Sequence, residues 1–230
     1  MSKILVIPDL HGKDIWKIAV NEIEHDKVVF LGDYFDSFDI DGNTQLENFA
    51  DIVEFKTTNR DSVVLLVGNH DLSYLTLSKC SGYQRIFGPQ ITQALSQACG
   101  EQLLQACYSD GNFLYVHAGL TNTWLKANTQ ESYDVVSVVN NAFYENPTLF
   151  NFVSGGDMYG NDIYQGPVWV RPEALIKDRY KVFKQIVGHT MVPQIASVPF
   201  TNVIFTDCLD TVNQFLLIKG GEAEIVFLTQ

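Results

Sequence analysis

The sequence predicts an α/β protein built in layers, with a mixed β-sheet or a sandwich of two sheets flanked by helices. Three observations predict it. Apolar, β-rich runs alternate with helical patterns early in the chain. Further β-rich runs with short connections gather near its end. Polar motifs containing glycine stand just after the apolar runs, where strands should stop.

Taken in order, residues 4–8 read as a buried strand. A helical face follows at Ile15, Ile18, Ala19 and Ile23, then a second strand at 28–31. Leu46, Phe49, Ala50 and Val53 share the face of a second helix, opened by a capping box at Thr44 and Glu47. Strands are expected again at 63–67, 113–116 and 185–187, and then at 203–205, 215–218 and 225–228. Residues 147–166 are rich in glycine, asparagine and aromatics and read as a long loop. Its Phe150, Phe152, Tyr159 and Tyr164 suit either packing or substrate selection.

The bulk numbers bound the class. A chain of 230 residues with 46% apolar and 18% charged content suits one globular domain spanning 1–230 and argues against disorder. A net charge of −12 and a pI near 4.7 disfavour nucleic acid and anionic membrane as partners. The longest apolar runs are too short to span a bilayer, and no signal-peptide pattern is read at the N-terminus. Cys80, Cys99, Cys107 and Cys208 show no metal-type pairing and no dense disulfide pattern. They fit a reduced cytoplasm as packing residues.

The chemistry lies in the motifs. Asp9-Leu10-His11-Gly12, Gly68-Asn69-His70-Asp71, Val116-His117-Ala118-Gly119 and Gly188-His189-Thr190 each set a histidine near a glycine. Gly32-Asp33-Tyr34-Phe35-Asp36 lies between the first two. Only His25 lacks such a setting and reads as solvated. One histidine after a strand means little, but four such motifs and two acidic ones would bury many polar groups without compensation unless an ion joins them. Oxygen and imidazole donors without thiolate favour manganese, iron, zinc, cobalt or nickel over a structural zinc site. Two such ions, bridged by a carboxylate at roughly 3.5–4 Å, are the usual apparatus for cutting phosphate esters.

In this order the motifs resemble those of the calcineurin-like metallophosphoesterases, nearest the phosphoprotein phosphatase branch and its small bacterial and phage members. That pattern is Asp-x-His-Gly, Gly-Asp-x-x-Asp, Gly-Asn-His-Asp/Glu, His-Ala-Gly and Gly-His-Thr, here running from Asp9 to Thr190. Trp169-Val170-Arg171 resembles a Trp-x-Arg element of the bacterial members, and Thr206-Asp207 resembles their Asp-Thr-Gly segment without its glycine. The resemblance implies that family's fold, mixed β-sheets in a sandwich flanked by helices. It also implies two divalent metal ions, manganese foremost, with iron, zinc, cobalt or nickel as alternatives. Asp9 and His11 would hold the first metal and Asp33 would bridge. Asn69, His117 and His189 would hold the second, with Asn69 also near substrate. His70, oriented by Asp36, would be the general acid, and Arg171 would grip the phosphoryl oxygens. The implied reaction is phosphomonoester hydrolysis, on phosphoserine and phosphothreonine proteins or a small phosphoester, by in-line attack of a hydroxide held between the metals. A dinucleoside polyphosphate or nucleotide substrate is the alternative.

The chain departs from the family pattern at Ser37-Phe38, where an arginine is expected after Asp36, so that Arg171 suffices, or another cation such as Arg85 or Arg60 compensates, or the substrate differs. Gly188-His189-Thr190-Met191 lacks the second histidine of many phosphodiesterases and nucleases, which favours the phosphatase branch. Other readings fare worse. A thiol phosphatase needs five residues between cysteine and arginine, and Cys80 to Arg85 offers four. A haloacid-dehalogenase reading rests on Asp39 and Asp41, which do not follow a strand directly, and it leaves the histidine motifs unexplained. A non-catalytic scaffold would be expected to lose ligands, and none of the expected ones is missing.

Overall fold

The early strands are apolar at almost every position, so each must be covered on both faces. A computed structural model describes residues 2–130 and 132–228 and shows how this is done. The strands are β1 (Lys3–Ile7), β2 (Lys27–Phe30), β3 (Val63–Leu66), β4 (Leu104–Gln105), β5 (Cys107–Ser109), β6 (Phe113–Val116), β7 (Lys184–Val187), β8 (Ala196–Val198), β9 (Val203–Phe205), β10 (Gln214–Lys219) and β11 (Glu222–Phe227). The helices are α1 (Trp16–Glu22), α2 (Gly42–Thr58), α3 (Asn69–Thr76), α4 (Gly88–Gly100), α5 (Asn122–Asn128), α6 (Val135–Glu145) and α7 (Pro172–Asp178), with a 3-10 turn at Pro147–Phe150.

Two mixed sheets result, in the orders β11-β10-β1-β2-β3-β4 and β5-β6-β7-β9-β8. β1, β2, β3 and β4 run parallel, as do β6, β7 and β9. The sheets pack face to face, and strand alternation decides what each face meets. Ile4, Val6, Val29 and Leu31 of the first sheet share one cluster with Phe113, Tyr115 and Ile186 of the second. The opposite residues, Leu5, Ile7, Val28 and Phe30, pack under Trp16, Phe49, Ile52, Ile91 and Leu95 from α1, α2 and α4. Leu114, Val116 and Val187 pack under Trp124, Val139, Phe143 and Leu175 from α5, α6 and α7. The architecture is therefore α/β/β/α, a sandwich rather than a single sheet. Among the described residues no helix is long and apolar enough to cross a membrane.

Several local expectations are corrected. α2 starts before Thr44: Asp41 caps it by accepting from the N–H groups of Asn43 and Thr44, so no capping box forms at Thr44 and Glu47. Ile18 is 50% exposed; Trp16 takes its place in the core, with its indole N–H donating to Asn48. Ala50 faces solvent and Ile52 is buried instead. His25 is half-buried, not solvated, with Nδ1 at 2.7 Å from the Ile23 carbonyl.

Candidate metal centre

The parallel strands end together, and the polar motifs follow them. Asp9 and His11 come just after β1, Asp33 after β2, and Asn69 and His70 at the start of α3 beyond β3. His117 follows β6 and His189 follows β7, so both sheets contribute from their carboxyl ends. His11, Asp33, Asp36 and His189 all have left-handed backbones, at φ 44°, 53°, 70° and 61°. Such conformations strain non-glycine residues and cluster where function holds them. Two glycines permit the close approach. A side chain on Gly68 would collide with the Asp33 carboxylate, and one on Gly188 with that of Asp9.

Backbone carbonyls orient the imidazoles. Nδ1 of His11 lies 2.7 Å from the Phe35 oxygen and Nδ1 of His117 lies 2.9 Å from that of Leu31. Nε2 of His189 lies 3.2 Å from the Trp169 oxygen. In each ring the nitrogen facing a carbonyl donates, which turns the other toward the cluster, where it binds either a proton or a cation. Asn69 Oδ1 sits 2.9 Å from His117 Nε2 and 2.8 Å from His189 Nδ1. Asp33 Oδ2 sits 3.4 Å from His117 Nε2 and 3.8 Å from His11 Nε2. Potential ligand atoms thus crowd one another, an arrangement that a proton or a cation among them relieves.

Two groups could hold an ion: His11, Asp33 and His70, and Asp33, His117 and His189. Asp33 belongs to both. Asp9 belongs to neither; its Oδ2 accepts from the His189 amide at 2.9 Å, while Oδ1 is buried with no hydrogen-bond partner among the described residues. An orphaned carboxylate oxygen beside converging lone pairs fits a cation.

The charges agree. Burial, reinforced by Asp207, holds the Asp9 carboxyl well above the usual carboxylate range. Burial and the Asp33 charge lift Asp207 to about 6. Burial opposes a charge on His117, but Asp33 and Asp9 outweigh it and raise that imidazole to about 10. Burial, then the charges of His117 and Arg171, hold His189 well below its ordinary value. A proton on His117 supplies positive charge that this cluster of carboxylates favours.

Beside the cluster, His70 Nδ1 lies 2.9 Å from Asp36 Oδ2, and the other Asp36 oxygen accepts from the Tyr74 hydroxyl. Burial pulls the His70 imidazole down, but Asp33 and Asp36 overcome it and raise it. Arg171, just before α7, donates from Nε to the Tyr159 carbonyl at 3.0 Å. Its Nη1 donates to the His189 carbonyl and Thr190 Oγ1, both at 3.1 Å, so the guanidinium is fixed next to the His189 turn. Arg60 lies in the connection from α2 to β3, whereas Arg85 lines a cavity next to Ser37.

Sequence reading gave no role to Asp71 or Tyr74. Asp71 Oδ2 accepts from the amides of Asp33 at 2.7 Å and Gly68 at 2.9 Å, and Oδ1 from that of Tyr34 at 2.9 Å. It thereby joins the second and third motifs. The acidic fourth position of Gly68-Asn69-His70-Asp71 was its only signal. The thiol reading loses further ground, because burial and Asp33 push Cys80 up to about 12, the wrong direction for a nucleophile. Asp39 is exposed and Asp41 is occupied as a helix cap.

A sequence profile of the calcineurin-like phosphoesterases matches residues 2–193. The chain belongs to the calcineurin-like phosphoesterases. Its α/β/β/α sandwich is the metallophosphoesterase fold. A cold-active protein-tyrosine phosphatase of a Shewanella species is similar at 19% identity and TM-score 0.67, covering 98% of this chain and 80% of that one. A protein serine/threonine phosphatase of Saccharomyces cerevisiae is similar at 14% identity and TM-score 0.62, covering 100% and 81%. A structure described as a diadenosine tetraphosphatase is similar at 16% identity and TM-score 0.50, covering 98% and 93%. No curated protein matches in sequence. In this calcineurin-like phosphoesterase, the two groups sharing Asp33 fit the dinuclear metal dependence of the family.

Proposed function

We propose that this phosphoesterase is a phosphomonoesterase acting on phosphoserine and phosphothreonine in proteins, with two manganese ions, in the cytoplasm. The observation that carries the reading is the Asp33 carboxylate, common to two potential ion-holding groups, with His70 of the first group engaged by Asp36 and so set apart here as the acid. Asp9, His11 and Asp33 would hold one metal, and Asp33, Asn69, His117 and His189 the other. Bound there, the metals would activate a water and neutralise charge on the phosphoryl oxygens.

The remaining work falls to the chain. Asp36 accepts from His70 Nδ1 and favours the protonated ring, whose Nε2 then protonates the leaving oxygen. Arg171, with Nε and Nη1 fixed by the backbone and Thr190, would offer Nη2 to phosphoryl oxygens, and Asn69, whose Oδ1 faces His117 and His189, would lie near substrate through its place in the cluster. The free state of all four cysteines supports a reducing compartment. The core shared by both sheets supports a single domain over 1–230. The two protein phosphatase neighbours support a protein substrate; the diadenosine tetraphosphatase neighbour makes dinucleoside polyphosphates the competing one.

The test compares wild type with His70→Asn on a phosphoserine peptide, on p-nitrophenyl phosphate and on a dinucleoside polyphosphate, with manganese added. Serine is a poor leaving group and needs its proton, so the peptide rate should fall by about 10²–10⁴-fold. Nitrophenolate leaves without one, so its rate should fall much less. Equal losses on both would remove His70 from the acid role. Turnover confined to the polyphosphate would overturn the substrate assignment.

A further inference from the structure

A strap over residues 79–85 lies against the His70 side of the site. It is attached at several points. Cys80 Sγ lies 3.5 Å from the Asn69 carbonyl. Gly82 crosses so close to Asp36 that an added Cβ would stand 2.6 Å from the Asp36 carbonyl. The Gln84 amide donates to Tyr74 Oη at 2.9 Å, the hydroxyl that in turn serves Asp36, and Gln84 Nε2 donates to the Ser37 carbonyl at 2.8 Å. The strap and the Ser37–Phe38 segment that follows Asp36 enclose a cavity of about 390 Å³, walled by Ser37, Phe38, Tyr83 and the cations Lys79 and Arg85.

The charge of this cavity is unlike that of the molecule. The chain carries 27 acidic against 15 basic residues, yet among the described residues no carboxylate lines the cavity and two cations do. Neither Lys79 nor Arg85 makes an ion pair among the described residues. Lys79 Nζ stands 6.0 Å from the Tyr83 ring centroid, held over the wall by the aromatic face. Both cations are exposed, as is Phe38, so the cavity opens as a shelf to solvent.

We propose that this shelf binds an acidic side chain flanking the phosphorylated residue of a peptide substrate, with Lys79 and Arg85 as its specificity determinants. The inference rests on the protein phosphatase reading above. Under that reading His70 protonates the leaving serine or threonine oxygen, so the peptide departs on the His70 side, where the strap lies. The shelf is lined by the strap that touches Asn69, Asp36 and Tyr74, so residues flanking the phosphoresidue of an extended peptide leaving on this side pass beside it.

Two phosphoserine peptides that differ only in a flanking Asp or Asn test it through the ratio of their kcat/KM values. Wild type should favour the acidic peptide by roughly five- to tenfold at low salt, with the preference shrinking as salt rises. In Lys79→Ala/Arg85→Ala the ratio should approach one, and Lys79→Arg/Arg85→Lys should restore it. The ratio compares substrates on one protein, so a change in overall activity does not disturb it. Equal turnover of the two peptides by wild type, or a preference that survives the double alanine variant, overturns the inference while leaving the phosphatase reading intact. Absence of any turnover of p-nitrophenyl phosphate with manganese would instead remove the reading on which it rests.

Discussion

Asp71 is fully buried, and three backbone amides from two different motifs converge on it. An asparagine would match it in shape but bring an NH₂ group against at least one of those N–H donors. Asp71→Asn should therefore cost about 1–3 kcal/mol of stability, and it should loosen the left-handed turn that presents Asp33. The expected outcome is a lower Tm together with fewer bound metal ions per chain by elemental analysis. Full metal content at unchanged Tm would show that Asp71 does not position Asp33. This residue also marks what the sequence left unread. Strand-end histidines were legible because an imidazole after an apolar run beside a glycine is conspicuous in one dimension. Asp71 acts through amides as far away as Asp33, and Tyr74 through a hydroxyl bond to Asp36, so neither role has a local pattern.

The segment 147–166 shows the same division at the scale of an element. Its first residues form a 3-10 turn, and Phe150 is buried against Trp124 and Phe143 at ring separations of 4.9 and 5.6 Å. Further along, Tyr159 and Tyr164 are 71% and 56% exposed, while the Tyr159 carbonyl receives Arg171. Of the two roles open from the sequence, packing falls to the start of the loop, and its exposed later part is where substrate selection is to be tested. Phe150→Ala should cost about 3–5 kcal/mol, seen as a lower midpoint in chemical denaturation. Tyr159→Ala should stay within about 0.5 kcal/mol of wild type and instead change KM for phosphopeptides. A large stability loss at Tyr159 would assign the whole loop to packing. The strands of the first sheet were legible because continuous apolar runs admit few alternatives. The two- and three-residue strands β4, β5 and β8 were not, since their pairing is set by partners in the sheets and not by their own composition.

At the scale of the whole molecule, both sheets deliver buried carboxylates to one seam, and the fold must balance that charge. Burial and Asp33 lift Asp71 to about 7 and Asp207 to about 6, and the carboxylates around His117 raise it to about 10. Each of these groups holds its proton more tightly folded than unfolded. The stability it adds is complete below its unfolded pKa and is lost as pH rises through the folded value. His11 and His189, both lowered mainly by burial, act in the opposite sense, but their gain is complete once pH has passed the unfolded histidine value near 6.5. By about pH 7 the contribution of Asp207 is gone and that of Asp71 is fading, so from about pH 7 to about pH 8.5 the decline falls mainly to His117, and chelator-treated protein should lose Tm steadily across that window. Manganese at about 100-fold excess over its Kd should add about 2.7 kcal/mol, or about 5–10 °C in Tm for a chain of this size. It should also abolish the decline, because deprotonated ligands bind metal better. Thermal melts of chelated and manganese-loaded protein at both ends of the window decide the matter. Parallel curves would mean that the seam tolerates its carboxylates without a cation, and the metal centre would lose its physical basis.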